Sequence, residues 1–271
     1  MAPPQTSLRD REATDRLLTR FVNEFSFSLA ITPQDKQRVF RLRYDVYCDE
    51  LGYEEPAESY RKLEYDDYDQ NAIHCLIEHR RTGLAAACTR LVMPNPDLTS
   101  PLDKLPMESY GGSSLTHPSL HPERLDKGTY YEISRLAVAR AFRSRINGAE
   151  VPGITHNPHE FSTSERETFP FLVSGLFLAG YALGSMSGKK VAFAMMEPRL
   201  PRLLAMAGFH FTKVGETIEF HGQRSAYCIT REQAEAGMQH TLAPLYRHIQ
   251  ETLGPQLERA LSEESARLCS L

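Results

Sequence analysis

The segment "FPFLVSGLFLAGYALGSMSG", Phe169 to Gly188, carries no charged side chain. At roughly 20 residues, such a stretch either crosses a bilayer or is buried on every side within a protein. Its Gly180-x-x-x-Gly184 spacing would suit helix pairing in a membrane. Pro170, the small residues of its second half and the apolar run "KKVAFAMM" close behind it point instead to the buried helix of an α/β sandwich. As the one lipid-compatible segment in the chain, it leaves no transmembrane segment expected.

A buried helix needs a large core around it, and 271 residues can supply one, as one large domain or a domain with appendages. Hydrophobic residues make up 41% and charged residues 24%, the balance of an ordinary globular protein. The net charge of −4 gives no reason to expect nucleic-acid binding. The opening "MAPPQTSLRDREATDRLLTR" places charges where a signal peptide needs an apolar run, so secretion by that route is not expected. The five cysteines are scattered and form no Cys-x-x-Cys pair. That argues against a zinc site or disulfide framework and for a reducing cytoplasm.

Along the chain, a short amphipathic stretch precedes "FVNEFSFSLAI", whose alternation predicts a first strand and closes an N-terminal extension over 1–30. Thr32 as N-cap and Pro33 in the first turn predict a helix with Val39, Leu42 and Val46 on one face. "AIHCLIEHRRTGLAAACTRLVMP" predicts a hairpin turning at Gly83, residues 94–128 a long loop, and "YYEISRLAV" another strand. A second irregular insertion runs from Asn147 to Thr168. After the buried helix come a strand, a short helix ended by Gly208, and a final pair of strands that completes a domain over 31–230. A charged amphipathic helix, roughly 232–267, is expected within a C-terminal extension over 231–271. This order predicts an α/β protein: a central mixed sheet with helices on both faces and strands that can splay to admit a ligand.

Two clusters carry the chemistry. In "LEYDDYDQNAIH", Glu64, Asp66 and Asp69 precede a strand. A calcium-loop pattern is partly met by Asp67, Asp69, Asn71 and Glu78, but Ala72 stands where the turn glycine is required, and calcium binding is not expected. Arg43, Arg90 and Arg135 each sit in apolar sequence. A buried arginine needs a carboxylate, which predicts one paired network drawn from separate elements. The second cluster is "YYEISRLAVARAFRSR", where Glu132 and Arg135 interrupt an apolar strand at a spacing that would put them on opposite faces. His121, His156, His159 and His221 lie in loops without ligand spacing, so no metal site is expected.

"LAVARAFRSRINGAE" resembles the stretch where GCN5-related N-acetyltransferases bind the pantetheine and pyrophosphate of coenzyme A, although only Gly148 supplies a glycine here. With "LRYDVYCDELGY", "EYDDYD", "TRLV", "EISRLAV" and "FRSR" in this order, residues 35–230 resemble the acyl-homoserine-lactone synthases and N-acyl amino acid synthases. The closer likeness, through Tyr47 to Gly52 and the late "MEPRLPRLL…GF…VGETIEFHGQRSAY", is to the PEP-CTERM/exosortase-associated acyltransferases. The resemblance implies a GCN5-related acyltransferase fold and a cytoplasmic enzyme with no bound cofactor. It implies an acyl group taken from acyl carrier protein (or coenzyme A) and placed on the amino group of a small acceptor such as an amino acid.

By the same resemblance, a β-bulge in the central strand lets Glu132 and Arg135 both face the cleft. Glu132, Ser134 and Arg135 are the implied catalytic group, with Glu132 as general base or as an arginine's partner. Arg43, Glu64, Asp66, Asp69 and Arg90 are implied in substrate binding, and Val138, Arg143 and Arg145 in donor binding. Two departures matter. The lactone synthases carry a tryptophan in their N-terminal segment and this chain has none, which weighs against S-adenosylmethionine as acceptor. The glycine-poor loop weighs against coenzyme A. A lactone-type signal synthase and a non-catalytic acyl-binding module remain the alternatives.

Overall fold

The uncharged segment forms α5 (Phe171–Met186), with Leu172 and the whole run Gly175–Gly184 buried. The computed structural model describes residues 8–95, 99–100, 102–143 and 161–268. One face of α5 lies on a sheet and the other is covered by α8 (Ala243–Leu268), which explains a helix apolar all round. Among the described residues no helix is long and apolar enough to cross a membrane.

The sheet has eight strands: β1 (Phe25–Leu29), β2 (Ile73–His79), β3 (Leu84–Val92), β4 (Tyr130–Val138), β5 (Val191–Met196), β6 (Thr212–Lys213), β7 (Ile218–Glu219) and β8 (Gln223–Thr230). Their order is β1-β2-β3-β4-β5-β8-β6, with β7 also on β8. Every pairing is antiparallel except β4–β5. That parallel contact covers only Tyr130–Val191, Tyr131–Ala192 and Glu132–Phe193. β4 runs on to Val138 and β5 to Met196, so the strands part just beyond Glu132.

Both faces are covered. α5 and α8 lie on the face that carries Cys75, Ile77, Tyr131 and Ile133. α2 (Pro33–Arg43) lies on the other face, with Val39 and Leu42 against Leu76, Cys88 and Ala137. Thr32 caps α2 in a reciprocal pair with Asp35 and Pro33 occupies its first turn, as the sequence indicates. α1 (Leu8–Glu24) and α8 share the α5-side core, through Leu18 and Phe21 and through Leu245, Ile249, Leu253 and Leu257. Gln256 ties α8 to the backbone of β1, accepting from Leu29 N at 2.9 Å.

Several local expectations change. "FVNE" ends α1, because Phe21 turns into an aromatic cluster with Phe25, Phe27 and Phe171, and the alternation begins only at Phe25. The 94–128 region contains α3 (Pro106–Gly111), whose Glu108 caps the Leu105 N–H at 2.8 Å, and the second insertion ends in α4 (Thr163–Thr168), capped by Ser162. The expected final pair of strands is one long strand, β8, with the two-residue partners β6 and β7. The expected single helix over 232–267 is α7 (Arg231–Gly237) followed by α8. It breaks where Gly237 packs against Gly208, at φ +93°, the residue that ends α6 (Leu200–Met206).

The glycines of α5 are a packing device for the sheet. A Cβ on Gly184 would lie 2.1 Å from the Tyr131 ring, whereas one on Gly180 would lie 3.1 Å from the flexible end of Ile133. Gly184→Ala should therefore destabilise the protein by about 2 kcal/mol or more, since overpacking outweighs the helix-propensity gain of roughly 1 kcal/mol. Gly180→Ala should come out within about 1 kcal/mol of the parent. Urea denaturation of the two variants checks the ordering, and equal midpoints would refute it.

Candidate active site

The three apolar-embedded arginines do meet carboxylates. Arg43, fully buried at the end of α2, donates from Nε and Nη2 to Glu64 at 2.5 and 3.0 Å. It also donates from Nη1 and Nη2 to Asp69 at 2.7 and 3.0 Å. Burial by itself would lower its pKa, but Asp69 and Glu64 more than offset that and hold it above the usual arginine value. Arg90, on β3, binds Asp66 at 2.5 Å, lies 3.1 Å from Asp69 and donates from Nε to the Ser134 hydroxyl at 3.1 Å. Arg135 is held by Glu54 at 2.9 Å and by Glu64 and Asp66, both at 3.3 Å. The acidic loop is fixed as well: Asp66 accepts from Tyr68 N, and Asp69 accepts from Asp66 N at 2.7 Å. Behind it, His74 Nε2 lies 3.5 Å from Asp69, and burial lowers the imidazole pKa to about 3.

The strand that carries Glu132 and Arg135 is bulged. β3 pairs Val92 with Glu132 and Arg90 with Ser134, but Cys88 with Ala137, so β4 holds one residue more than its partner. Arg135 takes φ +51°, a left-handed conformation that costs a non-glycine residue roughly 1–2 kcal/mol. The extra residue resets the pleat, so Glu132, Ser134 and Arg135 all line one cavity. Tyr47, in a π-helical turn over Tyr44–Glu50 that continues α2, donates its hydroxyl to the Leu136 carbonyl at 3.0 Å, just after the bulge.

Glu132 is the unusual group. It is only 3% exposed, accepts from Met107 N at 2.8 Å, and has no cation within ion-pair distance among the described residues. Burial raises its pKa to about 7, against the lowering effects of the Met107 N–H and of Arg90 and Arg135. A carboxyl in that state exchanges a proton readily near neutrality.

The rest of the cavity comes from distant segments: Tyr53 and Glu54 after the π-helical turn, Pro106, Met107 and Tyr110 of α3, Met195 of β5, and Phe220, His221 and Arg224 from the β7–β8 turn and β8. Tyr53 stacks on His221 and Tyr110 on Phe220, with ring centres 5.0 and 4.9 Å apart. His221, at φ +51°, shapes the turn and also presents its ring to the cavity.

The sequence candidates therefore divide. Glu132, Ser134 and Arg135 line the cavity; Arg43, Glu64, Asp66, Asp69 and Arg90 stand behind it as a mutually paired ion network. Val138 packs into the α5-side core. Arg143 is paired with Glu50, and Arg145 lies outside the described residues. Beside Arg143 a second cavity, about 970 Å³, is lined by Arg38, Arg41, Arg61 and Arg140 together with Asp45, Asp49 and Glu50, over an apolar base that includes Leu42 and Leu84. The sequence reading did not single out Tyr53, Glu54, Tyr110, Phe220 or Arg224. Arg224 stood in the quoted run "HGQRSAY" without a partner to mark it. No group of His, Cys, Asp and Glu that could hold a metal ion occurs among the described residues.

Residues 42–148 match the family model described as acetyltransferase (GNAT) domain. No curated protein matches the chain. Among solved structures it is similar to TofI in a ternary complex with an inhibitor and MTA, at 18% identity and TM-score 0.53, over 82% of this chain and 96% of that one. It is similar to the AHL synthase LasI at 14% identity and TM-score 0.52, over 79% and 96%. It is also similar to FeeM, an N-acyl amino acid synthase from uncultured soil microbes, at 13% identity and TM-score 0.52, over 81% and 96%. The fold is thus that of the GCN5-related acyltransferases.

Removing one member of a buried ion network strands the others. Arg43→Met should destabilise the protein by about 3–5 kcal/mol, because Glu64 and Asp69 lose their main partner. Arg41→Met, at a side chain 50% exposed in its pair with Asp45, should change stability by less than about 1 kcal/mol. Chemical denaturation of both checks this, and equal midpoints would mean that the network contributes nothing.

Proposed function

We propose that the protein is an N-acyltransferase that moves a fatty acyl group from a pantetheine thioester to the amino group of a small molecule, an amino acid. The observation that carries this reading is Glu132: a buried carboxyl without a cationic partner, its pKa near 7, beside the bulge where β4 leaves β5. An acceptor amine arrives as ammonium. Glu132 takes one proton from it, the nitrogen lone pair attacks the thioester carbonyl carbon, and a C–N bond forms. Collapse of the tetrahedral adduct breaks the C–S bond. The thiol leaves with the second nitrogen proton, and Glu132 returns its own to solvent. The gap between the parted strands is the natural berth for the thioester, and the unpaired backbone of a bulge suits donation to its oxygen. A non-catalytic module would have no use for an unpaired buried carboxyl, which is costly to keep.

For the donor we assign acyl carrier protein, with acyl-coenzyme A as the lesser substrate. Side chains occupy positions in "AFRSRINGAE" where glycines would let backbone N–H groups reach a pyrophosphate. Arg143, on exchanging Glu50 for a phosphate, and Arg145 suit the single phosphodiester of a carrier-bound arm and the acidic surface of a carrier.

Parent activity should rise with pH through about 7, as Glu132 ionises and becomes able to accept the proton. Glu132→Gln should lose about a hundredfold or more in kcat and rise only at higher pH, where the acceptor amine deprotonates unaided. A variant profile parallel to the parent's would reduce Glu132 to a structural role. Mass spectrometry of lipids from an expressing strain identifies the product: N-acyl amino acids support the assignment, acyl lactones or no new lipid refute it. In competition between matched acyl chains, the carrier-bound donor should win at low salt, by a margin that shrinks in high salt and in Arg143→Ala/Arg145→Ala. Equal use of acyl-coenzyme A at low salt would overturn the carrier assignment alone.

A further inference from the structure

Arg224 is a cation that faces the cavity without an anion. It stands near the start of β8, paired across to Ile218 of β7, with its guanidinium carbon 5.8 Å from the centre of the Tyr53 ring. Its Nε is buried and has no hydrogen-bond partner, and no carboxylate among the described residues lies within ion-pair distance of it. The contrast with the other arginine of the cavity is sharp. Arg135 is answered by Glu54, Glu64 and Asp66, and Glu54 also lies 3.8 Å from His221. Glu54, Glu64 and Asp66 are thus committed elsewhere. In this half-buried guanidinium the Nε is kept from water with its donor unmet, which folding alone does not explain, and the planar fork matches a carboxylate.

We propose that Arg224 binds the carboxylate of the acceptor, which makes the acceptor an α-amino acid taken as its zwitterion. This deepens the acyltransferase reading and rests on it for the identity of the reaction. The charge balance favours it. A simple amine sets its ammonium against Glu132 and leaves Arg224 unanswered. A zwitterion sets its carboxylate against the guanidinium and leaves its ammonium for Glu132, so each charge meets its complement. The stacked pairs Tyr53–His221 and Tyr110–Phe220 wall the space beside these groups, which suits a flat or apolar side chain. Arg224 is then a specificity-determining residue whose effect appears in acceptor binding and not in proton transfer.

The test compares L-phenylalanine and L-leucine with their amides as acceptors, at saturating donor, in the parent, Arg224→Gln and Arg224→Lys. In the parent the acids should be preferred to the amides. Arg224→Gln should raise KM for the acids by about tenfold to a hundredfold, leave the amides nearly unchanged and keep the parent's pH–rate profile. Arg224→Lys should recover part of the loss, since it restores the charge without the fork. Equal use of acid and amide by the parent would overturn the proposal. So would a variant whose defect lies in the KM of the donor, which would make Arg224 a phosphate contact. If the parent acylates none of these acceptors, the acyltransferase reading fails for them, and calorimetry still decides Arg224. Binding of the acid but not the amide, lost in Arg224→Gln, supports it, and binding of neither, or of both alike, refutes it.

Discussion

A guanidinium with no access to water must have its donors met by the protein, and Arg43 meets this condition with two carboxylates, each held through both of its oxygens. The rest of the site depends on that clamp. Glu64 and Asp69 bring the acidic loop onto the end of α2, and the same two acids together with Asp66 reach Arg90 on β3 and Arg135 on β4. Four segments distant in sequence are thereby fixed to one another beneath the cavity floor. The left-handed backbone of Arg135 is a local expense that its three carboxylate partners offset. The bulge and the ion network are therefore one device: the network holds the bulge, and the bulge turns Glu132, Ser134 and Arg135 to the same side.

The sheet divides at its parallel contact. β1 to β4 form one antiparallel run, β5 and β8 with their short partners form another, and only three residue pairs join them. Glu132 belongs to the last of those pairs, opposite Phe193. Chemistry placed there sits at the apex of a wedge, where the backbone on either side has left the ladder. The fold makes such a place without any special residue, and the side chains around it decide what it does.

Much of this was legible in the sequence. Thr32 and Pro33 mark the start of α2, Gly83 turns the hairpin, and an uncharged helix beside a strand announces a buried layer. Isolated charges in apolar runs are legible for the same reason, since only a partner makes their burial tolerable, and Arg43, Arg90 and Arg135 all found one. The roof of the cavity was not legible. Tyr53, Tyr110, Phe220 and Arg224 come from loops and a turn whose approach is fixed only in three dimensions, and an exposed-looking arginine in "HGQRSAY" has no local signature. The tail misled for a related reason. Its amphipathic pattern suggested one long helix, but the close approach of Gly237 to Gly208 breaks it, and only the later part carries an apolar side, Leu245 to Leu257, into the core.

Glu132 also ties the folded state to proton activity. Below about pH 4.5 the carboxyl is protonated whether the chain is folded or not, and its burial is electrostatically mild. Between that value and about 7 the unfolded chain releases the proton while the folded chain retains it, so each rise in pH shifts the balance toward unfolding. The contribution present in acid is gone once the folded carboxyl ionises, a swing on the order of 3 kcal/mol. The free energy that holds the proton in place until neutrality is the same free energy that the fold surrenders when the proton leaves.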